Sequence, residues 1–106
     1  MLDVAHMGLH VAQMSSREAM RYCFEAVTTN PARVMQLDGY GLAVGNNADM
    51  VVLQAHDTIE AIRLRARRLF VIRRGKVISE TLAERAVLDL PGRPTALDPA
   101  DYFPKA

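Results

Sequence analysis

Apolar residues in the first third of the chain recur at helical spacing. Residues 2–14 are mostly apolar and contain no proline, which predicts a first helix. Ser15 and Glu18 have the spacing of a capping box, so a second helix is expected to begin after Ser15. The apolar positions behind them recur at i, i+3, i+4 and i+7 and form a predicted buried stripe of Met20, Cys23, Phe24 and Val27.

A short third helix is predicted after this stripe. Thr28, Thr29 and Asn30 end the second helix. Asn30 then suits the N-cap of a new helix, because its side chain can accept a backbone N–H and Pro31 lacks an N–H that would otherwise be unpaired. The side chains expected on the buried side of this helix are Val34, Met35 and Leu37.

The pattern changes after the third helix, where turns with glycine and asparagine begin. The run Met50–Leu53 is short, continuous and partly β-branched, which favours a buried strand over a helix. Residues 69–73 and 76–79 are predicted to form a hairpin around Arg74 and Gly75. Glycine accepts the positive φ that such a two-residue turn requires.

A fourth helix is predicted between these strand regions. Asp57 and Glu60 again have the spacing of a capping box, and the apolar positions behind them are Ile59, Ile62 and Ala66. Beyond the hairpin, residues 86–90 are a candidate further strand. Prolines recur from Pro91 onward, so residues 95–106 are expected to be an extended or disordered tail.

These elements predict an α+β chain in which helices precede a small, mostly antiparallel sheet. Residues 1–37 form the helical segment and residues 38–94 the β-rich part. Continuous apolar strands such as Met50–Leu53 need cover on both faces of their sheet. One short helix supplies only part of that cover, which indicates that something else packs on the sheet.

Composition excludes several classes of partner. Thirteen basic and twelve acidic residues leave a net charge of +1, so neither nucleic acid nor an anionic membrane is expected as a partner. No basic segment followed by an apolar run marks a secretion signal, so a cytoplasmic location is expected. The single cysteine, Cys23, lies in the predicted apolar stripe and is interpreted as a buried structural thiol.

Two groups of polar residues have both a chemical and a structural interpretation. Asp3, His6 and His10 lie on one face of the first helix, and the histidines have the spacing of a helical zinc pair. Histidines that pack structurally are the favoured alternative. Six arginines between residues 63 and 74 could bind phosphate, but the near-neutral chain favours a solvated face, and His56 is also expected to be solvated.

The segment from Gly41 to Leu53 carries the most specific pattern. It reads G-L-A-V-G-N-N-A-D-M-V-V-L and resembles a signature near the C-terminus of the amidohydrolase superfamily: a glycine, a spacer, G-x-x-A-D and an apolar strand. Residues 29–33 (T-N-P-A-R) resemble the helix start that precedes it, and residues 71–78 (V-I-R-R-G-K-V-I) resemble the hairpin that follows. Asp49 is interpreted as structural, since it can bind turn amides.

Three segments are similar to the cytosine deaminase branch of this superfamily. Residues 1–11 (M-L-D-V-A-H-M-G-L-H-V) are similar to the segment just after the active-site aspartate loop of those enzymes. Residues 61–65 (A-I-R-L-R) and 88–94 (L-D-L-P-G-R-P) fit the same branch. The chain thus resembles the C-terminal segment of a cytosine deaminase-like, metal-dependent amidohydrolase.

The resemblance implies a longer parent enzyme with a (β/α)8 barrel and a composite β-sandwich. Residues 1–37 would be the last barrel helices and residues 38–94 the C-terminal half of the sandwich. Iron or zinc in the parent would activate a water that attacks the amine-bearing carbon of cytosine or a related cyclic amidine. The family's ligands, an H-x-H pair, later histidines and an aspartate, would all precede residue 1.

The resemblance therefore predicts no catalytic, cofactor-binding or metal-binding residue in this chain. Its partners would be the rest of the barrel and the N-terminal sandwich strands. The alternative is a stand-alone, non-catalytic interaction or structural module derived from an amidohydrolase. The helical pattern begins directly at Met1, which favours a truncated enzyme. Bare strand edges and uncovered helices are expected to make the isolated chain self-associate.

Overall fold

The computed structural model describes residues 1–93, which contain four helices and three strands. In chain order the elements are α1 (Leu2–Val11), α2 (Arg17–Glu25), α3 (Thr29–Val34), β1 (Met50–Leu53), α4 (Thr58–Leu64), β2 (Arg68–Arg73) and β3 (Lys76–Glu80). The predicted α+β order, helices followed by a small antiparallel sheet, is confirmed. The predicted tail at 95–106 lies outside the described residues.

Helices α1, α2 and α4 pack against one another and enclose the core. Ile62 of α4 is 0% exposed, and Ile59 and Ala66 are 7% and 9% exposed, which confirms the predicted buried side of this helix. Helix α1 contributes Ala5 and Leu9. Within residues 1–93, four of the seven buried apolar residues are alanines, so this core is small and depends strongly on its few large side chains.

The first two helices have different ends from those predicted. Helix α1 ends at Val11 rather than near residue 14, and Gln13 just beyond it has a left-handed φ of 53°. Helix α2 begins after Ser16, not Ser15, because the Ser16 side chain accepts the Ala19 N–H at 3.1 Å. Glu18 then lies one residue short of the capping-box position and instead accepts the Tyr22 hydroxyl at 3.0 Å.

The apolar stripe of α2 is half-buried, not buried as predicted. All four of its members, Met20, Cys23, Phe24 and Val27, have intermediate exposure. Helices α1 and α4 contact α2, but this contact covers only part of the stripe.

Helix α3 turns a different side inward from the one predicted. Val34, Met35 and Leu37 are 79%, 67% and 46% exposed, whereas Ala32 is 9% exposed. Val34 lies about 200° around the helix from Ala32, so burying Ala32 turns Val34 outward. The N-cap is Thr28 rather than Asn30, and the Thr28 hydroxyl donates to the Phe24 carbonyl at 2.8 Å.

Helix α4 begins at the predicted capping residues. The Asp57 carboxylate accepts the Glu60 N–H at 2.7 Å, and the Glu60 carboxylate accepts the His56 N–H at 2.5 Å. In a capping box Glu60 would accept the N–H of the N-cap Asp57, whereas here it accepts the N–H of His56, one residue earlier. The helix ends at Leu64, and its C-cap Arg65 has a left-handed φ of 51° that turns the chain toward β2.

The sheet has the strand order β1-β2-β3, and both pairs are antiparallel. The predicted hairpin is confirmed: Arg74 and Gly75 at its turn have φ of 51° and 76°, the positive values of a type I′ turn. Strand β1 is present, but Val51 and Val52 are 50% and 39% exposed. Its predicted burial is therefore wrong for the described chain.

The further strand predicted at residues 86–90 is absent: residues 81–90 have no regular secondary structure. The chain leaves β3 at Thr81 and is then bound by side chains at the end of the sheet. Arg67 donates to the Leu82 carbonyl at 3.4 Å, and Gln54 bonds to the main chain of Glu84. These bonds direct the chain away from the free edge of β3.

Asp49 fastens the hairpin turn to the start of β1. Its Oδ1 accepts the Arg74 N–H at 2.6 Å, and its Oδ2 lies 3.9 Å from Nε of the same arginine. The Gly75 N–H donates to the Ala48 carbonyl at 3.0 Å. Asp49 thus binds one turn amide, and it belongs to the β2–β3 hairpin rather than to the turn just before β1.

Replacing Ile62 by alanine is expected to lower the free energy of unfolding by about 2–5 kcal/mol, because the truncation leaves a cavity in a closed core. Val34→Ala is the matched control, since Val34 is 79% exposed and its replacement should change stability by less than about 0.5 kcal/mol. Urea denaturation followed by circular dichroism measures both variants. Equal effects would show that α4 is not the centre of the core.

Replacing Asp49 by alanine is expected to lower the free energy of unfolding by about 1–2 kcal/mol and to accelerate hydrogen exchange of the Arg74 amide. Asp49→Asn keeps an acceptor oxygen and loses only a largely exposed ion pair, worth less than about 1 kcal/mol, so it should have the smaller effect. Amide exchange measured by NMR separates the two variants. An unchanged Arg74 exchange rate in Asp49→Ala contradicts the role of this carboxylate.

Candidate functional site

The loop between α3 and β1 contains most of the amidohydrolase-like pattern. Gly39 and Gly45 have φ of 66° and 93°, so the predicted turns are present. The Asn46 side chain donates to the carbonyls of Tyr40 and Gly41 at 3.0 and 3.2 Å. The Asn47 N–H donates to the Gly39 carbonyl at 2.9 Å. The loop is therefore held by its own asparagines and glycines.

The polar groups of this segment are used to hold the fold. Asn46 binds loop carbonyls and Asp49 binds the hairpin turn. The loop also exposes two large apolar side chains: Leu42 is 84% exposed and Val44 is fully exposed. The segment thus positions β1 and the hairpin and displays an apolar surface.

His6 connects α1 to the last turn of α4. Its Nδ1 lies 2.8 Å from the Ile62 carbonyl oxygen, so Nδ1 carries the proton and donates. Carbonyls in the last turn of a helix lack intrahelical partners, so this bond satisfies one of them. The Ala66 N–H satisfies the neighbouring carbonyl of Ala61 at 3.0 Å. His6 is therefore a structural contact between two helices.

The structure does not bring Asp3, His6 and His10 together as metal ligands. The two imidazole rings meet edge to face, with centroids 4.5 Å apart and an interplanar angle of 70°. Asp3 is exposed. Across residues 1–93, no group of three or more histidine, cysteine, aspartate or glutamate side chains is placed to hold a metal ion.

Cys23 is half-buried and has a sulfur neighbour. Its Sγ lies 3.4 Å from the Met14 thioether, to which the thiol donates. A thioether does not accept a proton as a general base does, so this contact does not activate the thiol for nucleophilic attack. The contact joins the chain after α1 to helix α2.

The arginines between residues 63 and 74 are all exposed. Two of them lie next to carboxylates: Arg67 is 3.7 Å from Glu84, and Arg74 is 3.9 Å from Asp49. His56 is exposed as well, and its N–H donates to Glu60. The arrangement is that of a solvated face with two surface ion pairs.

Sequence reasoning missed the role of Gln54. Its side-chain amide donates to the Glu84 carbonyl at 2.6 Å and accepts the Glu84 N–H at 2.9 Å. A primary amide has one donor and one acceptor side, so it pairs with a peptide unit as another peptide unit would. No periodicity or motif predicts this contact between Gln54 and Glu84, because the two residues are thirty positions apart in the sequence.

The exposed apolar surfaces are the largest unexplained features of the described chain. Val4, Met7 and Val11 on α1 are each more than half exposed. A separate groove of about 240 Å³ lies between α2, β1 and α4, with Phe24 and Leu53 among its lining residues. Surfaces of this kind mark places where other protein elements bind. None of the helices in the described part of the chain is long and apolar enough to cross a membrane.

Comparison with known proteins finds one matching family and several similar solved structures. The model of the amidohydrolase family matches residues 1–84. No curated protein sequence matches.

Solved structures of 5-methylcytosine deaminase from Klebsiella pneumoniae are similar to this chain. The form liganded with 5-fluorocytosine is 38% identical, with a TM-score of 0.74 over 87% of this chain. The form liganded with phosphonocytosine is 36% identical, with a TM-score of 0.72 over 85% of this chain. The chain spans 22% of the length of that enzyme in both comparisons.

A further similar structure is N-isopropylammelide isopropylaminohydrolase from Burkholderia multivorans ATCC 17616. It is 30% identical, with a TM-score of 0.71, over 74% of this chain and 20% of its own. The sequence resemblance to cytosine deaminase-like amidohydrolases is thus confirmed. Because the family model matches most of its residues, the chain belongs to the amidohydrolase family.

Proposed function

We propose that the chain is the C-terminal part of a metal-dependent hydrolase that deaminates cytosine or a related amino-substituted ring. The observation that carries this proposal is its 38% identity to 5-methylcytosine deaminase over 87% of its residues. Because the chain spans only 22% of that enzyme, the remaining polypeptide would supply the active site.

The way this chain uses its polar side chains supports that assignment. Hydrolytic deamination needs an activated water and groups that transfer protons. Asp57 and Glu60 cap α4, and Asp49 binds the hairpin turn. His6 donates to Ile62. These candidate groups already have structural partners.

The described residues do not fit a catalytic iron or zinc site. His6 and His10 contact each other edge to face, and Asp3 is exposed on the same helix. A catalytic zinc site needs three protein ligands that converge on one point and leave a position for water. We therefore assign the metal ligands of the proposed enzyme to the part of the polypeptide outside this chain.

The uncovered apolar surfaces suit a chain that packs on a larger protein. In this proposal residues 1–37 end a (β/α)8 barrel, and residues 38–94 form half of a composite sandwich. Helix α4 packs on α1 and α2 and thereby joins the two parts. Val51 lines the groove beside α2 and α4, so the half-exposed Val52 on the opposite face of β1 would contact the N-terminal sandwich strands. A reducing, cytoplasmic setting suits the single thiol of Cys23.

A chimeric enzyme tests this proposal. The chain replaces the matching C-terminal segment of the Klebsiella pneumoniae 5-methylcytosine deaminase, and ammonia release from 5-methylcytosine is measured. The chimera is expected to be active, with kcat/KM about tenfold below the native enzyme because imperfect packing raises the barrier by about 1.4 kcal/mol. The isolated chain with iron or zinc is expected to release no ammonia.

Two chimera variants serve as matched controls. Ile62→Ala should reduce the folded, active fraction, because it truncates the fully buried side chain. Arg63→Ala, at an exposed and charged position of the same helix, should leave activity unchanged. Ammonia release by the isolated chain contradicts the proposal. A folded but inactive chimera, with cooperative unfolding of the isolated chain as a monomer, would instead favour the stand-alone interaction module.

A further inference from the structure

Helix α1 has apolar residues on two opposite sides. One side contains Ala5 and Leu9, which are buried where α1 packs on α2 and α4. The other side contains Val4, Met7 and Val11, which are 62%, 65% and 77% exposed. Successive helical residues are about 100° apart, so the centres of the two faces are separated by roughly 150°. A surface helix normally has a single apolar stripe.

The exposed side has the geometry of a helix-docking surface. Val4, Met7, Gly8 and Val11 stand at i, i+3, i+4 and i+7, the four positions that form a hole for one side chain of a facing helix. Together with Asp3 they line a depression of about 450 Å³. A Cβ added at Gly8 would meet nothing within 4 Å, so the hole is open. It has room for a large apolar side chain.

Glycine at position 8 gives no advantage to the isolated helix. Glycine in a helix interior is less favourable than alanine, because it loses more backbone entropy on folding. No described residue packs where the Gly8 side chain would be. A facing element that approaches the backbone closely would make use of the missing Cβ.

We infer that this hole receives an apolar side chain of a helix in the N-terminal remainder of the amidohydrolase polypeptide. The inference rests on the proposed function and identifies the surface through which the chain joins its enzyme. The similar deaminase is far longer, since this chain spans 22% of it, so most of that polypeptide is available as the occupant. Among the described residues that line the depression, Asp3 alone is charged, which matches an apolar partner helix with a hydrogen-bond donor near Asp3.

Substitutions at Gly8 test the inference, because their effects should have opposite signs in two proteins. In the isolated chain, Gly8→Ala should raise Tm by about 2–8 °C, since it improves helix propensity and meets open space. In the deaminase chimera, Gly8→Leu should lower Tm by roughly 2–10 °C, because the added side chain fills the hole. Gly8→Ala in the chimera is the milder second variant and should also lower Tm.

Arg21→Leu is the matched control, because it adds an apolar side chain to an exposed position of α2 away from the hole. Its effect on Tm should have the same sign in both proteins. Tm is measured by calorimetry, and sedimentation gives the mass of the isolated chain and of the chimera. Ammonia release by the chimera reports separately on the proposed function, so an inactive chimera with the predicted Tm shifts would leave the docking surface supported.

Three results would overturn the docking inference. If Gly8→Leu and Gly8→Ala raise Tm in the chimera as well, the face is free surface. If Gly8→Leu lowers the Tm of the chimera only by dissociating it into smaller species, a second copy of the chain occupies the hole. If the unsubstituted chimera does not fold, the chain does not dock on that polypeptide.

Discussion

Burial of helix α4 is the constraint on which the rest of the structure depends. Ile62 has no exposed surface, and the helix that carries it follows β1 and precedes β2 in the chain. The same helix packs on α1 and α2, so its position brings the sheet to the helices. His6 strengthens this arrangement from the other side, because it satisfies the Ile62 carbonyl that the end of α4 would leave unpaired.

The sequence predicted those elements whose signals are local. The cap of α4 needs only Asp57 and Glu60, and the hairpin needs only a two-residue turn with Gly75, so both follow from neighbouring residues. Which side of α3 turns inward depends on its packing partners, and the expected burial of Val34 was wrong for that reason. The strand expected at 86–90 is absent, and the residues before it bond to Gln54 and Arg67, which are distant in the sequence and which no local pattern predicts.

The sequence identifies the family of this chain but not the substrate of the enzyme. The pattern from Gly41 to Leu53 is specific because it encodes a loop with positive φ values, an asparagine that binds loop carbonyls and an aspartate that binds a distant turn. Such constraints identify a fold without specifying a substrate. Structural packing of His6 and His10 is the favoured interpretation of the sequence, but helical spacing alone does not identify the partner, so the bond from His6 to Ile62 was not predicted.

The bond between Asp49 and the Arg74 amide has a consequence for the order of folding. The hairpin closes over a two-residue turn, whereas the Asp49 bond joins residues 25 positions apart. Closing the longer loop loses more chain entropy, so we expect β2 and β3 to pair before β1 joins them. Helix α4 lies inside that loop and shortens the distance to be closed once it has formed. The Asp49 bond thus holds the start of β1 to the turn between the other two strands, across the helix that separates them in the chain.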